Sequence, residues 1–170
     1  MGTGGLFLRK LRARVADEPT GFVWVEKGKL AGSGYPASRA QVEWLVRAGV
    51  RSILTLTVDS LPSEYTEGFD VIIGHVAMED HQAPNVQSME KAADFAIEQI
   101  QGGRPVLVHC LAGEGRTGCV LSAYLIRTRN ISADEAMATL RRLKPEFVEW
   151  RQEQGVREYA SKRPSSEKIL

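Results

Sequence analysis

The chain has 170 residues, of which 43% are hydrophobic and 25% are charged, and its formal net charge at pH 7 is +1. This composition is typical of one globular domain with enough chain for a core, and the near-neutral balance argues against a nucleic-acid partner. No run of about 18 apolar residues occurs, so we expect neither a transmembrane helix nor a membrane partner.

The two ends of the chain differ in composition from the middle. Four basic residues lie between positions 9 and 14, with no acid before Asp17, and the apolar stretch before them is too short for a secretory signal. The last residues are mostly polar. We therefore predict a basic N-terminal extension over 1–20, a single folded domain over 21–162 and a polar tail over 163–170.

Short apolar runs alternate with amphipathic segments along this domain. The runs predict strands near Phe22, Leu30 and Ile53 and over 71–76 and 105–108. This alternation favours an α/β domain with a central, mostly parallel sheet flanked by helices on both faces.

Start and stop signals bound the predicted helices. Ser38 and Gln41 form a capping-box pattern before a helix that Gly49 ends, and Ser132 and Glu135 form another before a helix that Pro145 ends. Further helices are predicted over 85–101, from the residues after Arg116 to about Asn130, and near the end of the domain.

Residues 109–118 carry the strongest chemical signal in the chain. Five residues separate Cys110 from Arg116, and two of them are glycines. In a loop of this length, backbone N–H groups converge on a dianion while the guanidinium binds two of its oxygens. The helix N-terminus that follows adds donors and a partial positive charge. The stretch therefore predicts a phosphate site with the Cys110 sulfur beneath the phosphorus.

An acidic side chain is expected at the same edge of the sheet as Cys110. The strand over 71–76, the helix over 85–101 and the strand over 105–108 form a βαβ unit, whose two strands run parallel. Residues just past the carboxyl ends of such strands emerge at one edge, which brings Asp80 towards Cys110. Asp80 is thus the predicted acid for a leaving oxygen, and Glu79 is the alternative.

These residues resemble the signature His-Cys-x5-Arg-Ser/Thr of the cysteine-dependent protein tyrosine phosphatases. Over about 22–159, the chain is similar to the small atypical dual-specificity phosphatases and to compact archaeal tyrosine phosphatases. The resemblance implies a phosphatase catalytic domain with the phosphotyrosine protein phosphatase-like fold. It also implies a phosphorylated protein substrate, with phosphotyrosine and also phosphoserine or phosphothreonine as target residues, and no metal or other cofactor.

The resemblance also implies roles for the site residues. Cys110 would form a phosphocysteine, while Asp80 would first protonate the leaving oxygen and then act as a base. Thr117 would hydrogen-bond the departing thiolate, and Gln152 matches the glutamine that positions the hydrolytic water. The implied phosphate-binding residues are Leu111, Ala112, Gly113, Glu114, Gly115 and Arg116.

Two features depart from the family pattern. Glu114 lies in the middle of the loop, and because loop amides converge inward, we expect its carboxylate at the rim or beside a basic neighbour. Phosphoinositide phosphatases of this superfamily typically carry lysine at the first and fourth positions after the cysteine, where this chain has Leu111 and Glu114. That difference argues against an inositol lipid as substrate. Residues 146–148 are also larger than in close relatives.

Other residue types with functional chemistry have structural interpretations here. His109 is predicted to organise the loop, whereas His75 and His81 are predicted at the surface, with His81 near enough to Asp80 to touch substrate. Cys119 is predicted in the core, with a redox role as resolving thiol as the alternative. The tryptophans are predicted to pack against the core: Trp24, Trp44 and Trp150.

Two other functions remain open at the level of sequence. A phosphate-binding pseudophosphatase module would capture phosphorylated partners without turnover, but it would need neither a nucleophile nor an acid. An RNA 5′-triphosphate, phosphoinositide or other phospholipid phosphatase is the alternative among enzymes. Because Cys110 must stay reduced to act, a reducing, cytoplasmic location is expected.

Overall fold

A five-stranded sheet forms the centre of the computed structural model, which describes residues 17–162. The sheet order is β1-β2-β5-β3-β4, with β1 antiparallel to β2 and every other neighbouring pair parallel. This confirms the α/β class with a mostly parallel sheet. The strands are β1 (Val23–Glu26), β2 (Leu30–Ser33), β3 (Ser52–Thr55), β4 (Ile72–His75) and β5 (Val106–His109).

The helices connect and cover these strands. They are α1 (Arg39–Arg47), α2 (Ser63–Thr66), α3 (Val86–Gln101), α4 (Gly115–Arg129), α5 (Ala133–Leu143) and α6 (Glu153–Ser161). Only the single turn α2 has no counterpart in the sequence prediction. Between residues 17 and 162, no helix has the length and apolar character needed to cross a bilayer. Residues 1–16 of the predicted N-terminal extension, and the whole predicted tail, lie outside the described residues.

Side-chain hydrogen bonds at two helix starts test the capping boxes predicted from the sequence. Before α5, the Ser132 hydroxyl accepts from the Glu135 N–H while the Glu135 carboxylate accepts from the Ser132 N–H, so the predicted capping box is complete. Before α1, Ser38 accepts from the Gln41 N–H, but the Gln41 side chain accepts from the N–H of Ala37. The box predicted there is therefore only half formed.

Alternation along the strands divides the core into two layers. Leu54 and Val108 pack on the side of α3, α4, α5 and α6, whereas Ile53 and Leu107 pack on the side of α1. Successive strand residues point to opposite faces, so helices cover both faces, as predicted. This arrangement buries all of β3 and β5, and the loops that follow their carboxyl ends lie together at one end of the sheet.

The prediction for Trp150 is wrong, whereas Trp24 and Trp44 do pack against the core. The side chain of Trp150 is 75% exposed, in the turn between α5 and α6. The guanidinium carbon of Arg151 lies 5.1 Å from the ring centroid, a contact that stabilises an aromatic ring at the surface. Phe147 in the same turn is fully buried and fills the core side instead.

The turn between α5 and α6 contains a strained residue. Val148 has a φ of 63°, although the left-handed region is unfavourable for a β-branched side chain. Its N–H donates to the Glu114 carbonyl at 3.3 Å, and its carbonyl accepts from the Arg141 guanidinium at 2.6 Å. The first contact fixes the turn against Glu114 and the second fixes it against α5. Together they hold Val148 in a conformation that costs on the order of 1–3 kcal/mol.

We expect Val148→Gly to be more stable than Val148→Ala by about 1 kcal/mol, because only glycine adopts this φ without a steric cost. The two variants differ only in the buried Cβ, whose burial favours alanine, so a more stable glycine variant reports the backbone term. The free energy of unfolding in urea measures it. At the exposed helical position Glu98, alanine should be the more stable of the two by about 1 kcal/mol. If Val148→Ala proves as stable as Val148→Gly, the assigned strain is contradicted.

Candidate active site

The predicted site residues gather at the carboxyl edge of β3, β4 and β5. Cys110 directly follows β5 and is only 3% exposed, and the chain then turns through four residues before α4 begins at Gly115. Asp80 lies in the loop between β4 and α3. The two parallel strands bring these loops to one edge, as the βαβ argument predicted.

Backbone carbonyls in the loop that follows Cys110 accept hydrogen bonds from residues outside that loop. The Leu111 carbonyl accepts from the N–H of Tyr35 at 3.0 Å, and the Glu114 carbonyl accepts from the N–H groups of Gly118 at 2.9 Å and Val148 at 3.3 Å. In a trans peptide the N–H points opposite to the C=O. The N–H that follows each of these carbonyls is therefore directed towards the interior of the loop, where an anion would lie.

Gly113 brings the loop against the end of β2. A Cβ at this position would lie 2.2 Å from the Ser33 carbonyl carbon, and its φ of +74° belongs to the region that favours glycine. The Gly113 carbonyl accepts from the Lys144 Nζ at 2.9 Å. A side chain at residue 113 would push the loop away from β2 and break this arrangement.

Arg116 lies in the first turn of α4 with only 3% of its surface exposed. Its Nη1 donates to the Met78 carbonyl at 3.0 Å, and its Nη2 lies 3.0 Å from Oδ1 of Asp80. Its Nε is buried without a hydrogen-bond partner among the described residues. A buried guanidinium donor without a partner is costly, and an oxyanion in the loop would satisfy it.

The candidate acid loop, residues 76–84, contacts the candidate phosphate-binding loop, residues 110–116, through Arg116. The Met78 N–H donates to the Leu56 carbonyl at 3.0 Å, which extends the β3–β4 pairing up to the start of the acid loop. Asp80 then reaches the guanidinium, whereas Glu79 is exposed and makes no ion pair within the described part of the chain. The geometry thus brings Asp80, and not Glu79, to Arg116.

Thr117 and Cys119 differ in what surrounds them. The Thr117 hydroxyl is buried and has no hydrogen-bond partner among residues 17–162, so it is available to a group inside the loop. Cys119 is fully buried in the core, as predicted. Burial raises the pKa of its thiol, so Cys119 stays protonated and its chemistry is that of a small apolar side chain.

His109 connects the phosphate-binding loop to the neighbouring strand. Its Nδ1–H donates to the Cys110 carbonyl at 3.1 Å, so in the neutral ring Nε2 accepts from the Thr55 hydroxyl at 2.9 Å. The Tyr35 ring packs edge-on against the imidazole at 5.6 Å. Burial lowers the pKa of His109 to about 4, opposed by the bond to Cys110 and assisted by the Arg116 charge.

Gln152 is fully buried between the acid loop and the start of α4. Its Nε2 donates to the Gln82 carbonyl at 3.1 Å, and its Oε1 lies 3.9 Å from the Cys119 sulfur. A Cβ on Gly115 would approach Gln152 Oε1 to 2.3 Å. The side chain therefore lies against the helix start that carries Arg116.

Carboxylates surround the mouth of the site. Glu149 lies 3.9 Å from His81 Nδ1, and His81 Nε2 lies 3.6 Å from Asp80. Glu114 is half-buried at the N-cap of α4, and its side chain neither caps the helix nor forms an ion pair within residues 17–162. His75 and His81 are exposed, as predicted, and His75 Nε2 lies 2.9 Å from the Thr57 carbonyl.

Three contacts in this site have no signal in the sequence that would identify them. The Met78 carbonyl contacts Arg116, Lys144 contacts Gly113, and Glu149 reaches the start of α4. A backbone carbonyl leaves no mark in a sequence, and the other two contacts join residues more than thirty positions apart.

Comparison with known proteins identifies the family. A family model described as "Polymorphic toxin system, DSP-PTPase phosphatase" matches residues 31–130, which is more than half of the chain. The chain belongs to the DSP-PTPase phosphatases. The match runs from within β2 to the end of α4 and thus includes the acid loop and the phosphate-binding loop.

Curated phosphatases are similar to the chain over parts of their length. The dual specificity protein phosphatase Mpk3 of Drosophila melanogaster is 33% identical over 105 residues, which are 61% of this chain and 25% of that protein. The tyrosine-protein phosphatase CDC14 of Candida albicans is 37% identical over 78 residues, which are 45% of this chain and 14% of that protein. The chain thus spans a quarter or less of these two relatives.

A solved structure of similar size shares the fold. The crystal structure of Tk-PTP in the active form superposes with a TM-score of 0.76 at 27% sequence identity, covering 84% of this chain and 97% of that one. The DSP-PTPase fold therefore accounts for nearly all of the described residues. The resemblance to small dual-specificity and tyrosine phosphatases is confirmed.

We expect His109 to make stability depend on pH. The unfolded pKa is near 6.5 and the folded pKa is about 4, so the unfolded state binds more protons between these values. The contribution of His109 to the free energy of unfolding is fully present above pH 6.5. It decreases as the pH falls, and about 2 kcal/mol of it is lost at pH 5. Urea unfolding at pH 7.5 and pH 5 should show this loss in wild type.

The variant His109→Gln removes the titrating ring and should lose about 2 kcal/mol less than wild type over the same interval. The exposed His75→Gln serves as the matched control and should retain the wild-type loss. Equal losses in wild type and His109→Gln would show that the buried imidazole does not titrate in this range.

Proposed function

We propose that this chain is an active protein phosphatase that hydrolyses phosphotyrosine, and also phosphoserine or phosphothreonine, through a phosphocysteine. One observation carries the proposal: Arg116 is buried six residues after Cys110, with Asp80 3.0 Å from its Nη2 and with no partner for its Nε among the described residues. A nucleophile, a phosphate ligand and an acid are thus brought together by two adjacent loops.

In the first step, the Cys110 sulfur attacks phosphorus and the bond to the leaving oxygen breaks. The inward N–H groups and Arg116 stabilise charge on the three equatorial oxygens of the transferring group. Phosphate displaces Asp80 from the guanidinium, and the released carboxylate takes up a proton from water and donates it to the leaving oxygen. The product is phosphocysteine and the dephosphorylated side chain.

In the second step, water hydrolyses the phosphocysteine. Asp80, now ionised, accepts a proton from the water, and Gln152 holds that water between the acid loop and the helix start. The Thr117 hydroxyl donates to the departing thiolate, which provides the partner that this buried group lacks among residues 17–162. Inorganic phosphate then leaves and the site returns to its starting state.

The charges around the mouth support a phosphorylated side chain over a polyanionic lipid or an RNA triphosphate. Glu79, Asp80 and Glu149 are carboxylates beside the site, and Leu111 at the loop surface is 62% exposed. The additional phosphates of a polyphosphorylated substrate would be repelled by these carboxylates. A substrate with a single phosphate places that phosphate in the loop, and the side chain that carries it contacts Leu111. The expected compartment is reducing and cytoplasmic, because Cys110 must stay reduced to act as a nucleophile.

One substrate panel tests the assignment. Phosphotyrosine, phosphoserine and phosphothreonine peptides, a phosphoinositide and an RNA 5′-triphosphate are compared by kcat/KM, with and without a chelator. We expect the phosphopeptides to be preferred, with phosphotyrosine first, and turnover to be insensitive to the chelator. Preference for the lipid or RNA would replace the proposed substrate, and phosphopeptide binding without product would indicate a pseudophosphatase.

Cys110→Ser should lower kcat on an aryl phosphate by roughly 10⁴-fold or more, because the serine hydroxyl is a far weaker nucleophile than a thiolate. Binding of orthovanadate should persist. Cys119→Ala is the matched control, since that cysteine lies in the core and should leave kcat near wild type. A Cys110→Ser variant with wild-type turnover would exclude the phosphocysteine.

Asp80→Asn should lower kcat by roughly 10²–10⁴-fold on a phosphopeptide, whose leaving group needs a proton. The loss should be much smaller on an aryl phosphate with an acidic leaving group. The inhibition constant of vanadate should be unchanged or lower, because Arg116 loses the carboxylate that competes with the anion. Glu79→Gln is the control, and a larger kcat loss in that variant would transfer the acid role to Glu79.

A further inference from the structure

Lys144 is placed against the outer side of the phosphate-binding loop by the end of α5. Pro145 stops the helix and forces the residue before it into an extended conformation, and Lys144 has φ −146° and ψ 108°. Its ammonium nitrogen lies 5.3 Å from the Phe147 ring centroid, and a Cβ on Gly21 would lie only 2.8 Å from it. The side chain is therefore confined on two sides.

The Lys144 contact fixes one peptide of the loop. Nζ donates to the Gly113 carbonyl at 2.9 Å, and the N–H of the same peptide, which belongs to Glu114, points the opposite way, into the loop. The carbonyls of Leu111 and Glu114 are held by neutral backbone N–H groups. A charged donor forms a stronger hydrogen bond and polarises the peptide, which makes its N–H a better donor to an anion.

The charge of Lys144 also matters because the loop itself is poor in positive charge. Arg116 is the only basic residue between positions 110 and 118, and Glu114 adds a carboxylate. At 2.9 Å from the loop backbone, the ammonium compensates for that carboxylate from outside, without contact with substrate. A dianion bound in the loop therefore interacts with a second cation.

We propose that Lys144 is a positioning residue for the phosphate-binding loop: it holds the Gly113–Glu114 peptide with its N–H towards the phosphate and adds positive charge behind it. This inference rests on the proposed phosphatase function, because it concerns the same loop. Lys144 acts through the Gly113 carbonyl and does not itself touch the phosphoryl group.

The test compares Lys144→Met, which keeps the apolar stem but removes the donor and the charge, with Lys144→Arg, which keeps both. We expect Lys144→Met to weaken competitive inhibition by orthovanadate roughly tenfold to hundredfold, and Lys144→Arg to restore most of it. The exposed Lys91→Met is the matched control and should be inhibited like wild type. Melting temperatures of all variants are measured alongside.

An NMR measurement on the wild-type protein tests the geometry without relying on a variant's folding. Addition of inorganic phosphate should move the Glu114 amide proton downfield, and this shift should be smaller in Lys144→Met and recovered in Lys144→Arg. The proposal would be overturned if vanadate inhibition were unchanged in Lys144→Met or were not restored in Lys144→Arg. It would also be overturned if phosphate left the chemical shift of the wild-type Glu114 amide proton unchanged. Failure of wild type to bind vanadate or phosphate at all would instead overturn the proposed function.

Discussion

A guanidinium that is almost fully removed from water is the constraint around which this site is organised. Burying a charge costs several kcal/mol unless other groups supply compensating oxygens, and Arg116 obtains two of them, from Met78 and Asp80. Both lie in the acid loop. The requirement to satisfy Arg116 therefore also determines where the acid loop lies, so the phosphate ligand and the candidate acid are positioned by one interaction.

On the side that faces the loop, two buried polar groups at the start of α4 still need hydrogen-bond partners. Nε of Arg116 and the hydroxyl of Thr117 are buried without partners in the described structure. Two such groups side by side at one helix start are unusual in a folded protein, where buried polar groups nearly always have partners. A bound phosphate and the Cys110 thiolate would satisfy both groups, so the stability lost in the free protein becomes affinity for the anion.

Local sequence signals determined the elements, whereas long-range contacts determined how the loops are held. Ser132 with Glu135, and Asn130 with its left-handed φ of 52°, mark helix ends within a few residues, and the apolar runs mark the buried strands. The spacing of Cys110 and Arg116 marks the loop in the sequence, and the strand topology brings Asp80 to the same edge. The Lys144 contact has no such signal, because it depends on the direction of a side chain after the helix that Pro145 ends.

The α5–α6 turn shows why residues far along the chain belong to this site. Its backbone reaches the loop through the N–H of Val148, and its side chains reach it through Lys144 and Glu149, with opposite charges. The lysine lies behind the loop and the glutamate lies at its mouth beside His81. Positive charge behind the phosphate and negative charge in front of it attract a single phosphate into the loop but repel further phosphates outside it. In the proposed phosphatase the turn therefore acts on substrate choice through charge, and its lysine offsets the glutamate at the fourth position of the loop.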